Sequence, residues 1–407
     1  MKHTFHLLLA SVALSSLALV SCTPKTSVVA SDFAFADGQL RIALQCADSI
    51  RTAQGKTLVE LPSPRNIEPD NSMRLVPASD WCSGFFPGEL WYMYEYTGDP
   101  FWKQQAETYT EALESQKSNR GTHDIGFMMY CSFGNGQRLA PNDHYQAVLL
   151  KSARSLASRF NPTTGCIRSW DNWGPTFPWQ YPVIIDNMMN LELLMWAADR
   201  SGDKSLRDMA VSHADKTLKH HFRPDFSSCH LVSYDTISGQ PHLKQTHQGL
   251  SDSSAWSRGQ AWGLYGYTCM YRLTGDARYL EQARGIAGFL INHRNMPADG
   301  IPYWDFDAPV EEQTYRDASA AAIMASAFIE LSRYIPGTEA KESYLAMAEK
   351  QLRTLASKEY LAEPGTNECF ILKHSVGALP DKSEVDVPLT YADYYFLEAL
   401  LRYKNLQ

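Results

Sequence analysis

Thr274-Gly275-Asp276 separates two long segments, 256–274 and 277–294, whose apolar residues recur at helical spacing. Glycine tolerates the left-handed backbone that closes a helix, and aspartate caps the free amides that open the next one. The tripeptide therefore predicts a tight helical hairpin. The same punctuation stands at Thr97-Gly98-Asp99 and Ser201-Gly202-Asp203, and Pro336-Gly337-Thr338 takes its place late in the chain. Outward from these hairpins, helical periodicity predicts twelve helices, near 38–54, 84–97, 100–116, 124–135, 141–159, 184–201, 204–220, 256–274, 277–294, 317–335, 338–357 and 388–405. Those near 184, 256, 317 and 388 are apolar or small on nearly every side, as in Met188-Met189-Asn190-Leu191-Glu192-Leu193-Leu194. Those near 100, 204, 277 and 338 are amphipathic and charged. A helix apolar all round is buried, and an amphipathic one lies outside. Inner and outer helices alternating through short turns predict an all-α (α/α)6 toroid, one domain over residues 38–407. Two separate helical domains are the alternative. The longer connections, near 55–83, 160–183, 221–255, 295–316 and 358–387, lead into inner helices and are expected to gather at one mouth, where function usually resides.

Of the 407 residues, 44% are hydrophobic and 20% charged, enough to bury a large core, so global disorder is excluded. The net charge of −8 argues against nucleic acid as the main partner, because that needs a basic footprint. Lys2 and His3 precede an uncharged apolar run, Leu7 to Val20, too short for a comfortable membrane span of ~20 residues. It reads as an export signal over residues 1–22. Its ending, Leu19-Val20-Ser21-Cys22, resembles a bacterial lipobox in which Cys22 becomes the lipidated first residue and anchors the protein to the membrane; an ordinary cleaved signal is the alternative. Both take the protein out of the cytoplasm; for the lipid-anchored reading, in the cell envelope, the lack of an acidic run after Cys22 favours the periplasmic side. Residues 23–37 are expected to form a tether. The remaining cysteines, 46, 82, 131, 166, 229, 269 and 369, contain no CxxC pair, which argues against a zinc knuckle. Most fall in apolar periodic segments and are expected to pack as small core residues, with no disulfide framework.

The starts of the inner helices carry the chemistry. Asp124 stands in His123-Asp124-Ile125-Gly126-Phe127, Asp186 in Ile185-Asp186-Asn187-Met188-Met189-Asn190, and Asp317 in Arg316-Asp317-Ala318. In a toroid these N-termini face one mouth, so two or three carboxylates would share a pocket with Arg258, several histidines and aromatic rings. Paired carboxylates are the usual apparatus of glycoside hydrolysis, and aromatic faces stack on sugars. Taken singly, each aspartate reads first as a helix cap. Asp186 is the least comfortable cap, because Pro182-Val183-Ile184-Ile185 and Met188-Met189 surround it with apolar side chains.

These segments occur in order with Thr246-His247-Gln248-Gly249, Trp256-Ser257-Arg258-Gly259-Gln260-Ala261-Trp262, Tyr303-Trp304-Asp305-Phe306-Asp307 and Arg316-Asp317-Ala318-Ser319-Ala320-Ala321. Together they resemble glycoside hydrolase family 88, the unsaturated glucuronyl hydrolases, from about residue 38 to 405. The resemblance implies an (α/α)6 barrel acting on lyase-generated oligosaccharides of glycosaminoglycan type that carry a 4,5-unsaturated uronic acid at the non-reducing end. It implies Asp186 as general acid/base and Asp124 as the second essential carboxylate. It implies Trp81, His123, His230, His247, Gln248, Trp256, Arg258 and Trp262 as substrate contacts, with Trp81 matching only in outline. No metal and no cofactor is implied. The chemistry is hydration of a vinyl ether, which needs a carboxylic acid protonated near neutrality; burial and a neighbouring carboxylate raise such a pKa. Asp186 is expected to be the raised member and Asp124 to stay ionised. Arg258 is expected either to neutralise the uronate or to pair with a core aspartate. Trp256, at the mouth, is the better stacking candidate, and Trp262 is expected to be partly core. Lys373, His374, Ser375 and Lys382, in the loop before the last helix, are candidates for meeting a sulfate. The alternatives are an unsaturated rhamnogalacturonyl hydrolase, a glycosidase of saturated sugars, and a non-catalytic glycan-binding lipoprotein.

Overall fold

The computed structural model describes residues 25–171, 177–337 and 339–406. The export signal, Cys22 and Thr338 lie outside the described residues. The three Gly-Asp hairpins form as expected. Gly98, Gly202 and Gly275 close their helices at φ of 68°, 72° and 71°, and Asp99, Asp203 and Asp276 accept the backbone N–H of Phe101, Ser205 and Arg278.

Twelve α-helices run through the described residues: α1 (Lys25–Ala53), α2 (Phe85–Thr97), α3 (Pro100–Glu111), α4 (Asn135–Leu139), α5 (Asp143–Ala157), α6 (Leu191–Ser201), α7 (Lys204–His220), α8 (Ser257–Thr274), α9 (Ala277–Asn292), α10 (Ala318–Ser332), α11 (Glu339–Leu355) and α12 (Thr390–Lys404). A π-helical segment, Gly126–Gly134, leads directly into α4, and a 3₁₀ turn, Ile185–Asn190, leads into α6. The inner ring follows from packing. α2 packs on the π segment, that on α6, α6 on α8, α8 on α10, α10 on α12, and α12 returns to α2. α1, α3, α5, α7, α9 and α11 lie against this ring from outside. Every residue of α10 is buried, as its apolar and small composition requires. The architecture is the (α/α)6 toroid.

The N-terminal expectation needs correction. Residues 25–37 are not a tether but the first part of α1, with Val29, Phe33, Ala36 and Leu40 buried at helical spacing. Phe33 stacks on Tyr96 with ring centroids 3.9 Å apart, which anchors this end of the helix to α2.

The long connections contain nine short antiparallel strands among the described residues. In the sheet β5 (Pro182–Ile184), β6 (Leu231–Tyr234) and β7 (Pro241–Gln245), Ile184 pairs with Leu231 and Leu231 with Gln245. The residues just beyond that common end are Ile185-Asp186, His230, and Thr246-His247-Gln248. A hairpin of β8 (Ser375–Ala378) and β9 (Ser383–Val387) lies beside β1 (Ser63–Ile67), joined by Arg65, which binds Glu384 and, at 2.6 Å, Asp80.

Candidate active site

A cavity of about 200 Å³ opens where the connections converge, lined by Trp81, His123, Asp124, Trp170, Ile184, Asp186, His247, Gln248, Arg258, Ala378 and Asp381. The lining comes from the N-terminal approaches to α2, the π segment, α6, α8 and α12, as the toroid predicts. Asp124 and Asp186 therefore share one cavity. Neither caps its helix: no side-chain cap bond opens the π segment or the 3₁₀ turn.

Asp186 is almost wholly buried, and its Oδ2 has no hydrogen-bond partner. Burial pushes its pKa up to about 7; Arg258 pulls against this, and the charge of Asp124 adds to it. The backbone N–H of Ile185 bonds to the His230 carbonyl at 3.0 Å, which sets the two residues side by side. His230 Nδ1 accepts the backbone N–H groups of His247 (2.9 Å) and Gln248 (3.3 Å), so the ring proton resides on Nε2. That Nε2 lies 3.9 Å from Asp186 Oδ2 and has no hydrogen-bond partner of its own. Burial drives the His230 pKa well below its usual value, and the neighbouring His247 and Arg258 push the same way. The imidazole is thus a neutral donor aimed at the acid. Asp124 accepts the Thr122 hydroxyl at 2.7 Å, and its Oδ1 lies 3.2 Å from His123 Nε2. Burial lowers the His123 pKa, and Asp124 partly restores it.

Arg258 is fully buried yet borders the cavity. Its Nη atoms donate to the carbonyls of Val376 and Gly377, and Nη1 lies 3.3 Å from Asp317. Its guanidinium sits over the Trp256 ring, 4.4 Å from the centroid. Both Nη atoms are engaged with the hairpin and Asp317, and of the three nitrogens Nε is the one without a partner. The expected core pairing and the expected place at the cavity are therefore both realised. Asp317 itself caps α10 through the N–H groups of Ser319 and Ala320 and does not line the cavity.

Trp81, His123, His247 and Gln248 line the cavity as expected, whereas His230, Trp256 and Trp262 stand behind the wall. Trp256 is buried between Arg258 and His230, its ring 4.9 Å from the imidazole, so it is packing for those side chains and not an open stacking face. Trp262 is wholly core, against Phe127 and Tyr395. None of the four sulfate candidates borders the cavity. Lys373 Nζ donates to the Lys358 carbonyl, His374 pairs with Asp386, Ser375 is buried, and Lys382 does not line the pocket. That loop contributes Ala378 and Asp381 instead, and Asp381 reaches across to His247 at 3.2 Å.

A family model described as Glycosyl Hydrolase Family 88 matches residues 49–399. The chain belongs to this family. It is 50% identical to an unsaturated glucuronyl hydrolase of Formosa agariphila over 81% of this chain and 82% of that one. It is 34% identical to an unsaturated glucuronyl hydrolase of Bacillus sp. GL1 over 83% and 90%. Among solved structures, an unsaturated glucuronyl hydrolase specific for heparin superposes with a TM-score of 0.87 at 47% identity, covering 93% of this chain and 98% of that one. A mutant unsaturated glucuronyl hydrolase of Streptococcus agalactiae in complex with dGlcA-GalNAc6S superposes with a TM-score of 0.78 at 27% identity, covering 98% and 99%.

Within this family 88 chain, the cavity residues that the sequence motifs missed are Trp170, Ile184, Ala378 and Asp381. Ile184 sits two residues before Asp186, in the apolar stretch already noted around that aspartate, and its pairing with Leu231 brings it to the cavity edge. Trp170, a tryptophan in a polar connection, was a visible signal: its ring packs edge-on to His230 and His247 at 6.0 and 5.5 Å.

Proposed function

We propose that this protein removes the 4,5-unsaturated uronic acid from the non-reducing end of lyase-generated oligosaccharides of glycosaminoglycan type. The observation that carries the mechanism is Asp186, an acid held near neutrality by burial, with an unpaired oxygen, in the same cavity as a second carboxylate. Protonated Asp186 delivers its proton to C4 of the vinyl ether, and the C4=C5 electron pair takes it up. The resulting oxocarbenium ion at C5 is stabilised by the Asp124 carboxylate. Water then adds at C5 and gives a proton back to Asp186, which restores the acid. The hemiketal opens and releases the next sugar. His230 Nε2–H, behind the wall, is placed to hold Asp186, and Trp81 and Trp170 offer ring surface to the sugar. The names of the relatives support the same activity.

The test is simple because hydration destroys the ultraviolet absorbance of the conjugated uronate. Lyase digests of chondroitin, heparin, hyaluronan and pectin are each incubated with the protein. Loss of absorbance with at least one glycosaminoglycan digest is expected; none with any of them removes the proposal, and loss with pectin fragments alone transfers it to rhamnogalacturonan-type substrates.

We further infer that Cys22 is lipidated and holds the enzyme at the periplasmic face of the envelope. The support is the apolar run and Leu19-Val20-Ser21-Cys22. Replacement of Cys22 by Ala should move the protein from the membrane to the soluble fraction; an unchanged distribution refutes the anchor.

A further inference from the structure

Helix α1 grips the turn that opens the fifth long connection. Gln39 Nε2 donates to the carbonyls of Thr366 (3.2 Å) and Phe370 (3.0 Å), and its Oε1 accepts the N–H of Gly365 at 2.7 Å. Two helical turns further along the same face, Cys46 Sγ lies 4.0 Å from Cys369 Sγ, across 323 residues of sequence. The turn itself is unusual. Asn367, Glu368 and Cys369 have φ of 60°, 47° and 67°, a left-handed run that non-glycine residues rarely adopt. Such backbone persists only where its surroundings over-determine it. Here Gln39 holds it from outside, and Asn367 Nδ2 holds it from within by donating to the carbonyls of Phe370 and Leu372. The outcome is two thiols pressed together. Cys46 is the only half-exposed cysteine among those described; the other six are buried.

We propose that Cys46 and Cys369 are a disulfide-forming site, a covalent clasp between the first helix and the connection that brings Ala378 and Asp381 to the cavity. The clasp does not depend on the catalytic proposal. The co-reactant is a disulfide, RSSR, of a small thiol or an oxidoreductase. The Cys46 thiolate attacks one sulfur of RSSR, the S–S bond breaks, and RS⁻ leaves. The Cys369 thiolate then attacks Cys46 Sγ of the mixed disulfide, and the second RS⁻ leaves. Two protein thiols are oxidised, one disulfide is reduced to two thiols, and the chain loses two hydrogens. The sulfurs must close from 4.0 Å to about 2.05 Å. Burial pushes the Cys369 thiol up to about 12, with Cys46 adding to the shift, so half-exposed Cys46 is the entry point and Cys369 the resolving thiol.

The full chain is reduced, freed of reductant and incubated with oxidised glutathione at pH 7 and pH 9, then mapped by non-reducing peptide mass spectrometry. One crosslinked pair containing Cys46 and Cys369 is expected, with loss of two thiols per chain and faster formation at pH 9. C46S and C369S should each abolish it, and C369S should instead accumulate a glutathione adduct on Cys46. Reduced C46S should turn over substrate like the reduced wild type, which shows that it folds. A persistent glutathione adduct on wild-type Cys46, crosslinks among other cysteines in its place, or no reaction at either sulfur would each overturn the clasp.

Discussion

The side-chain carbonyl of Asn190 accepts the backbone N–H of Phe127 at 3.0 Å, and Gly126 makes room for it: a Cβ at Gly126 would lie 2.4 Å from that oxygen. This contact ties the segment carrying Asp124 to the segment carrying Asp186. Gly126→Ala should therefore do two things. Overpacking should cost about 1–3 kcal/mol in urea unfolding. Displacement of Asp124 relative to Asp186 should lower kcat by about tenfold or more. Wild-type turnover in a folded Gly126→Ala variant would show that the spacing of the two carboxylates is not set here.

Asp186→Asn and Asp124→Asn should each lower kcat by about 10²–10⁴-fold, the range for loss of a positioned acid or base. Circular dichroism should be unchanged, because neither side chain caps a helix. A variant with near-wild-type turnover loses its assigned role.

The working form of Asp186 is the acid, so kcat/KM should fall as pH rises through about 7. The stability sign is the same. A carboxyl whose pKa is higher folded than unfolded binds its proton more tightly in the folded state, so its contribution is complete below about pH 4 and is lost as pH rises through 7. Asp186→Asn removes the buried charge. At pH 8 the variant should be more stable than the wild type by roughly 1–4 kcal/mol, and at pH 4 the gap should close. Thermal melts of both proteins across that range check it; parallel curves would contradict a raised pKa.

Arg258→Met should leave the wholly buried Asp317 without its cationic partner, at a cost of about 3–5 kcal/mol. The double variant Arg258→Met/Asp317→Asn should recover part of that stability but not turnover. Recovery of both would make Arg258 purely structural.

Asp381 sets a carboxylate at the cavity opposite His247, where an anionic sugar must enter. Asp381→Asn should lower KM by about 2–5-fold at low ionic strength, with the difference shrinking as salt is added. A salt-independent KM would show that Asp381 acts through its bond to His247 and not through its charge.

What was legible in the sequence had a local cause. Gly98, Gly202 and Gly275 with their following aspartates gave the hairpins, because chain reversal and capping are settled within four residues. The ring order followed from which helices were apolar all round. The start of α1 was hidden because residues 23–37 read as a tether, while the partner that anchors Phe33, Tyr96, lies in another helix. In the site, Asp124, Asp186 and Arg258 stood in recognisable motifs. Ala378 and Asp381 did not, since their position depends on a β-hairpin fixed by Arg65 from the opposite end of the chain. That Trp256 and Trp262 stand behind the cavity wall was hidden for a related reason: the sequence marks an indole but not whether Arg258 or Phe127 already packs against it.

The inner wall is sealed by the helix nearest the C-terminus. Thr390 donates to Glu89 and Tyr92 to Tyr394, partners 301 and 302 residues apart. Contacts of such long separation carry a loop-closure cost and slow folding. No shortened product that lacks α12 can complete the circle, so competence should arrive in a single step, when the final helix docks, and a chain arrested before residue 390 should be inert however much of its helical content it has already acquired.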